Sequence, residues 1–554
     1  MLLDTVQTKV IKSSCGCEFP TTIVDGKHMP QVDIYNVNLE CPKTWSLIGS
    51  GATKGVFQLE SHLGKVWAKK VKPNNLEELA ALVALLRPGC LRAMSGTPPK
   101  SMTQHYCDRK IGLEEVEYLH PALEPILNKT YGVLVYQEQA MQIAQTIAGF
   151  DLNDADILRK AIGKKKADIM SRLEDQFIRG CRKQAIVNEE QAKEMFGWIR
   201  ESQRYSFNKS HAVSYAKNAY WSAYCKAHFP HEFFCSYLRG SAWKQDTHEE
   251  IYELVNDARL SDIEVWTPSF RYLQKHFHIS NKKIYFGLSD VKQVGSAAVD
   301  KIFNKIAEAE NLINKTVESW QWMDYLVCFS KQVSSTVNQA LISSGAMDYF
   351  KVARNEMLYE FEIWNKLTAK EMAWVQGERS MGFQTLAQAL TACMPVKKEG
   401  GGCSSHRRSE VLADLIKVLK DPPHKLNDSP AWIAWAEEKY LGTSITCSKV
   451  DGCDDSIKAN TTCKEFSDGK SGFVVLAVEV GRVKQITTKQ GKNPGSKMAF
   501  LTVSDNSCAL DNIVCFPEPW KEYQSHLQEG NTVLLQGERD KKKGGFIVKK
   551  VWQI

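Results

Sequence analysis

The sequence predicts a multidomain α+β chain, with a mostly helical first half, a mixed middle and a small closed β-barrel at the end. Three observations carry that expectation. Residues 51–240 place apolar side chains at helical spacing, and residues 251–350 mix short strands with helices. The last eighty or so residues break into β-rich runs separated by turn signals. A chain of 554 residues is long enough for several such units, each with its own core.

Composition narrows the class. A hydrophobic content of 43% and a charged content of 24% describe an ordinary globular chain. No apolar run approaches the length of a membrane span, so no membrane partner is expected. Asp4 near the start, with no apolar stretch leading to small residues, argues against a signal peptide and for a cytoplasmic location. The 71 Lys and Arg exceed the 64 Asp and Glu to give +7, a mild bias compatible with a polyanionic partner. Sixteen Cys at irregular spacings read as reduced thiols and core fillers. "SSCGCEF" holds Cys15 and Cys17, with Cys41 far behind. Zinc sites more often show two Cys-x-x-Cys halves, which are absent, so no metal is assigned there.

Taken in order, residues 1–50 are short, mixed and turn-rich, a connector rather than a domain. "NLEELAALVALLRPGC" sets Leu76, Leu79, Leu82 and Leu86 on a helical stripe that stops near Pro88. "DLNDADILRKAIGKKKADIMSRLEDQFIRGCRK" spaces Leu158, Ile162, Ile169, Leu173 and Phe177 on one helical face. Gly163 inside that pattern costs about 1 kcal/mol relative to Ala, so a break or bend is expected there. A further helix begins near Asn188 and runs into "RYSFNKSHAVSYAK"; the next ends before Pro230. "MPVKKEGGGCSSHRRSE", residues 394–410, has linker composition. "GFVVLAVEVGRVKQITTK", "KMAFLTVSDNSCALDNIVCF", "NTVLLQGER" and "GGFIVKKVWQI" supply the five strands of the barrel.

Several stretches carry chemistry. In "LRKAIGKKK", Lys160 and Lys164 stand one helical turn apart and Arg159 and Lys166 seven residues apart, so each pair shares a face. A solvated helix face explains such a cluster; so does a phosphate grip, with Arg159 bidentate and the lysines as point charges. "YSFNKSHA" lies between two helices, with Ser210 available as a cap. An anion near that N-terminus would meet free N–H groups, while the plainer reading is a capping loop anchored by Phe207. Gln137, Glu138, Gln139 and Gln142 line an apolar helix, as sugar and base readers or as an ordinary polar face. "GLSDVKQVGSAAVDKI" flanks a short turn with Gly287-Leu288 and Val294-Gly295. Hairpins of that pattern offer backbone N–H groups to a DNA backbone. The barrel adds Lys484, Lys489, Lys492, Lys497, Phe500 and Phe516, a basic and aromatic mixture that serves either single-strand binding or a barrel core. "SDGKSG" lacks the first glycine of a phosphate-binding loop, Lys464 standing in its place, and reads as a turn.

The order of these motifs resembles that of the C-family replicative DNA polymerases, the bacterial polymerase III alpha subunits and their phage relatives. "TKGVFQLES", "LEELAALVALLRPGCL", "PILNKTYGVLVYQEQAMQIAQTIAGFDLNDADILRKAIGKKK" and "YSFNKSHAVSYA" follow one another as in that family. "IYFGLSDVKQVGSAAVDKI" and "ALISSGAMDYF" resemble its tandem helix-hairpin-helix region, and "GRVKQITTKQGKNPGSKMAFLTVSD" its OB barrel. The resemblance covers roughly residues 40–554. It implies a connector at 1–50, a helical fingers domain at 51–240, a duplex-binding domain at 241–355, a helical and linker segment at 356–470 and an OB fold at 471–554.

By resemblance, Arg159, Lys160, Lys164, Lys165 and Lys166 contact the incoming nucleotide's triphosphate or the primer–template, and Asn208, Lys209, Ser210 and His211 position the nucleotide. Arg204 and Tyr205 in the same loop, with Arg87, Gln137, Glu138 and Gln139, line the cleft for DNA. Gly287, Lys292, Val294 and Gly295 grip the duplex, and Lys489, Lys492, Phe500 and Phe516 contact single strands.

One departure stands out. The family's palm aspartates hold two Mg²⁺ ions, and no matching "PDFD"-type segment is found; Asp4 and Asp33 are poor candidates. The expectation is therefore a split polymerase, of a kind a phage could encode, in which a palm-bearing polypeptide supplies the catalytic carboxylates and this chain binds primer–template DNA and dNTPs. The rival reading is a non-catalytic DNA-binding, processivity or assembly factor derived from the polymerase. A sliding clamp is a further candidate partner, although "GFQTLAQAL" lacks the usual terminal aromatic and is given no role.

Overall fold

In the computed structural model, which describes residues 10–24, 27–164, 167–202, 206–394, 408–488, 494–540 and 544–554, the chain divides into two compact units, Met1–Phe233 and Phe234–Ile554.

The first unit opens with an antiparallel sheet of three strands, β1 (Val10–Lys12), β2 (Glu18–Val24) and β3 (Lys27–Pro30), followed by α1 (Pro42–Ser50). The expected connector is thus folded from residue 10 onward. It sends Cys17, Phe19, Cys41, Trp45 and Ile48 into the same buried core as α2 (Leu76–Leu85). The signal was weak because these apolar residues are spread over turns and short strands, with no period to betray them.

Asn75 caps α2 by accepting the Glu78 N–H at 2.9 Å. The stripe expected at Leu76, Leu79 and Leu82 understates this helix. Every residue from Leu79 to Leu85 is buried, as befits a helix apolar on all sides at the centre of a unit. Pro88 stops one helix and starts another, taking the first turn of α3 (Pro88–Arg92), with Arg87 as its extended N-cap residue.

A second core joins α4 (Gln137–Ala148), α5 (Leu152–Lys164), α6 (Ala167–Gln184) and α7 (Glu189–Ser202). No break falls at Gly163 itself: α5 runs through Gly163 to Lys164, α6 is described from Ala167, and residues 165–166 lie outside the described residues. Leu158, Leu173 and Phe177 are buried together as their spacing implied. Gly180 lets α6 cross the end of α4, since a Cβ there would come within 2.1 Å of the Ala148 carbonyl oxygen. The unit's longest helix, α8 (Lys209–His228), packs its Ala212, Ala216, Ala219 and Ala223 into the same core as α2.

In the second unit a small sheet of β4 (Val265–Trp266), β5 (His278–Ser280) and β6 (Lys283–Tyr285) precedes α9 (Ser296–Ile313), α10 (Trp322–Cys328), α11 (Ser335–Ser343), α12 (Arg354–Asn365) and α13 (Pro430–Leu441). Arg354, 2% exposed, binds Asp348 at 2.6 Å and the fully buried Glu437 at 2.9 Å, and Glu437 accepts the Ile445 and Thr446 N–H groups. Most of the stretch expected as a linker, residues 395–407, lies outside the described residues.

The last unit of sequence closes as expected into a five-stranded barrel. Its strands are β7 (Val474–Thr487), β8 (Lys497–Ser504), β9 (Ala509–Cys515), β10 (Thr532–Arg539) and β11 (Phe546–Gln553), in the order β8-β9-β11-β10-β7, with β9 and β11 parallel and the other pairs antiparallel. The α+β fold class with a terminal OB-type barrel is therefore the observed one. Among the described residues, no helix is long and apolar enough to cross a membrane.

Two stability predictions follow from buried charge in the second unit. Replacing Arg354 by Met strands the Glu437 carboxylate away from water. Denaturant unfolding should show a loss of about 3 to 5 kcal/mol, whereas Lys366→Met, which breaks an exposed pair with Glu362, should cost less than about 1 kcal/mol. Glu360 accepts the Trp322 indole N–H at 2.6 Å; burial pushes its carboxyl up from the usual 4.5 to about 7, against the opposing effect of that bond. A raised acid favours the folded state at low pH, and the penalty for ionising it grows as pH climbs from 4.5 through about 7. Glu360→Gln should therefore raise the thermal midpoint at about pH 8 and leave it nearly unchanged at about pH 4.

Candidate nucleotide and nucleic-acid interface

The loop before α8 is held by a strand-like bridge. Phe207 pairs in parallel with Tyr136; its N–H donates to the Val135 carbonyl at 3.1 Å, and its carbonyl accepts the Gln137 N–H at 3.0 Å. That pairing fixes the start of α4 beside the start of α8. Asn208 is the N-cap of α8, accepting the His211 N–H at 2.9 Å and the Ser210 hydroxyl at 2.6 Å. Glu138 completes the joint: one carboxylate oxygen accepts the Asn208 amide, and the other the Lys209 N–H, both at 2.9 Å.

Three expectations change here. Ser210 does not cap α8; Asn208 does. Two of the N–H groups at this end are not open to an anion either: that of Lys209 goes to the Glu138 carboxylate and that of His211 to Asn208. Gln139 is likewise no DNA contact. At 5% exposure it spends its side chain inside the fold, accepting the Val135 and Tyr136 N–H groups and donating to Thr130 and Ile126. Gln137 remains partly exposed.

Around the joint lies an exposed aromatic and cationic surface. The Arg87 guanidinium sits 3.8 Å over the Phe207 ring, and Phe207 meets His211 at 5.3 Å between centroids. His211 lies 4.2 Å from Tyr215, which in turn lies 5.1 Å from Phe57. Arg87, Lys209, Ser210, His211 and Phe57 are exposed, so this row faces solvent. Phe57 and Tyr215 were missed by the reading of the sequence as contacts. Phe57 stands in the quoted "GVFQLES", and Tyr215 one helical turn beyond His211. Tyr35, 81% exposed, is a further surface aromatic, edge-on at 5.6 Å to Trp221 of α8.

On α5, Arg159 and Lys160 are paired rather than bare. Asp156 accepts Arg159 at 2.8 Å and Lys160 at 2.7 Å, and Lys160 first, then Arg159, holds the Asp156 carboxyl below its usual range. These are solvent-screened i,i+3 and i,i+4 pairs, so a phosphate competes with Asp156 for both cations at small cost. Lys164 is the last described residue of α5; Lys165 and Lys166 lie outside the described residues, as do Arg204, Tyr205, Lys489 and Lys492.

In the second unit the hairpin residues separate by role. A Cβ on Gly287 would lie 2.4 Å from the His276 backbone, and the Gly287 N–H donates to Asp290 at 3.0 Å. Val294 is 1% exposed and its N–H donates to the Val291 carbonyl; the Lys292 N–H goes to the Tyr440 carbonyl. Gly287 and Val294 thus shape the turn and offer no N–H outward. The outward element is Gly295, the exposed N-cap of α9, which brings no side-chain cap to that helix, with the exposed Lys292 close by in sequence. On the barrel, Phe500 (39% exposed) sits directly opposite the exposed Lys484 across β7 and β8, and Phe516 is 44% exposed. Neither aromatic fills the barrel core.

Comparison with known proteins assigns these parts. Residues 20–185 match the bacterial DNA polymerase III alpha subunit finger domain, residues 262–357 a helix-hairpin-helix motif, and residues 477–552 an OB-fold nucleic acid binding domain. The DNA polymerase III alpha subunit of Aquifex aeolicus is 30% identical over 541 residues, covering 96% of this chain and 40% of that protein. That of Halalkalibacterium halodurans is 30% identical over 514 residues, covering 92% and 41%, and that of Staphylococcus aureus 29% over 519 residues, covering 92% and 42%. The chain spans about two fifths of the length of the curated relatives it matches. With a finger region, a helix-hairpin-helix and an OB fold in that order along one continuous similarity, the chain is similar to a C-terminal portion of bacterial DNA polymerase III alpha subunits.

Proposed function

We propose that this chain is the substrate-gripping part of a DNA-directed DNA polymerase, binding primer–template DNA and an incoming dNTP while a palm-bearing polypeptide supplies the metal-holding carboxylates. The observation that carries the reading is the joint at Glu138. It fixes exposed Lys209 and His211 beside Phe207 and the exposed Arg87, and both Glu138 and Arg87 lie within residues 20–185, which match a bacterial DNA polymerase III alpha subunit finger domain. Only Gly149, Phe150 and Asp151 separate α4 from α5, and the two helices share a core. A reversal that short returns the cationic end of α5 toward the start of α4, where the α8 loop is tied. Arg159 would then fork onto phosphate oxygens, with Lys160 adding charge.

Mg²⁺ chemistry does not find its ligands in the described residues. Among them, the group of three or more potential ligands drawn together is Cys15, Cys17, Cys41 and His228, a thiol and imidazole set, whereas Mg²⁺ takes carboxylate and phosphate oxygens. No step of nucleotidyl transfer is therefore assigned to a side chain of this chain. Its contribution is positioning: the start of α9 and Lys292 on duplex backbone, Phe500 and Lys484 on a single strand, and the α8 loop on the nucleotide.

The test is a primer-extension and binding pair. With primed template, dNTPs and Mg²⁺, this chain alone should bind DNA with an affinity that falls steeply as salt rises, and should not extend the primer. Adding a polypeptide that carries the alpha-subunit palm should give extension, and Arg159→Ala should weaken dNTP use by about tenfold or more through loss of a charge-assisted bond. Robust extension by the chain alone would refute the division of labour. Extension that is insensitive to Arg159→Ala would favour a binding or assembly factor instead.

A further inference from the structure

The Cys-Gly-Cys stretch, given no metal on its spacing, looks different once folded. The sulfur of Cys15 lies 3.5 Å from that of Cys17, 3.7 Å from that of Cys41 and 3.9 Å from Nε2 of His228; Cys41 to His228 is 3.3 Å. All four ligand atoms fall within 4.8 Å of one another. A tetrahedral zinc ion with bonds of about 2.3 Å to sulfur and about 2.0 Å to nitrogen has edges of about 3.8 Å between sulfurs and about 3.5 Å from sulfur to nitrogen. The cluster already has those dimensions. Disulfides do not account for it, since a bonded pair of sulfurs lies about 2.05 Å apart.

We propose that Cys15, Cys17, Cys41 and His228 form a closed, structural Zn²⁺ site of Cys₃His type. The backbone is shaped for it. Gly16 adopts φ +83°, and the Ser13 N–H donates to the Cys17 carbonyl at 2.8 Å while the Ser13 carbonyl accepts the Gly16 N–H at 3.0 Å, a tight knuckle that turns both thiols to one side. The Ser13 hydroxyl lies 3.0 Å from the Cys15 sulfur. Cys41 directly precedes Pro42 at the start of α1 and donates its N–H to the Tyr220 hydroxyl at 3.3 Å. His228, the last residue of α8, is packed between Phe19 at 5.2 Å and Tyr224 at 4.4 Å, which fixes the ring plane.

Four protein ligands leave no open position for water, so the ion is structural rather than catalytic. It ties the N-terminal sheet and α1 to the end of α8. A helix of 20 residues is about 30 Å long, so the clamp stands a full helix away from Asn208 and His211. The site does not depend on the proposed function. Sequence spacing hid it because the fourth ligand follows Cys41 by 187 residues.

Metal analysis of the full-length chain, purified under reducing conditions without chelator, tests the site. The expected result is about one zinc per chain. Cys41→Ser and His228→Ala should lose it, His228→Cys should keep it as a four-thiolate site, and Cys90→Ser, a buried thiol elsewhere in the same core, should leave it untouched. Should the first two variants fail to fold, Co²⁺ added to the reduced, metal-free wild-type chain decides: thiolate-to-cobalt charge transfer with intense tetrahedral d–d bands supports the site. Absence of zinc together with absence of those bands overturns it, as does full zinc retention in a folded Cys41→Ser or His228→Ala chain.

Discussion

The geometry of the aromatic and cationic surface around Phe207 depends on one carboxylate. Glu138, in the first turn of α4, accepts the Asn208 amide and the Lys209 N–H, and so locks the start of α8 against the start of α4. Without it the Phe207 bridge would rest on two backbone bonds, those of Phe207 with Val135 and Gln137. A charged acceptor on a backbone N–H at a helix N-terminus is stronger than a neutral one and is aligned with the helix dipole. The same carboxylate takes the Lys209 N–H that an anion at this helix end would use. Under the proposed function, phosphate recognition falls to side chains around it: Arg87 over Phe207, Lys209, and the cations of α5.

That shift from backbone to side chains recurs in the second unit. Gly287 and Val294 are turn formers whose N–H groups are spent internally, and the group turned outward is the uncapped start of α9. Gly287 is there because the His276 backbone leaves no room for a Cβ. On the barrel, the two aromatics that could have been core are at the surface, and Phe500 is paired across the strands with Lys484, the ring and charge combination that suits a base and its phosphate.

Much of this was legible in the sequence, for identifiable reasons. Alternating runs and turn signals foretold the five barrel strands, and the Leu158–Phe177 spacing foretold the α5 and α6 core. The residues of the α8 loop were recognisable because Phe207 and His211 sit in a segment too polar for a core and too aromatic for an ordinary loop. What escaped notice was whatever depends on distant pairing. Gln139 looked like a polar face and proved to be a buried bracket between Thr130 and Val135. Asp156 drew no attention, though it holds Arg159 and Lys160. The folded state of residues 10–50, and the approach of His228 to Cys15 and Cys41, have no local period at all. Their cause lies in tertiary packing, where one sequence cannot speak.

The central claim is that the α5 cations and the α8 loop serve one ligand. Amide hydrogen exchange on the chain bound to primed DNA, with its palm-bearing partner, before and after a dNTP is added, addresses it directly. Joint slowing of exchange in residues 152–164 and 206–215 on nucleotide addition is the predicted result. Slowing confined to the barrel and hairpin residues, with both finger segments unchanged, would contradict it.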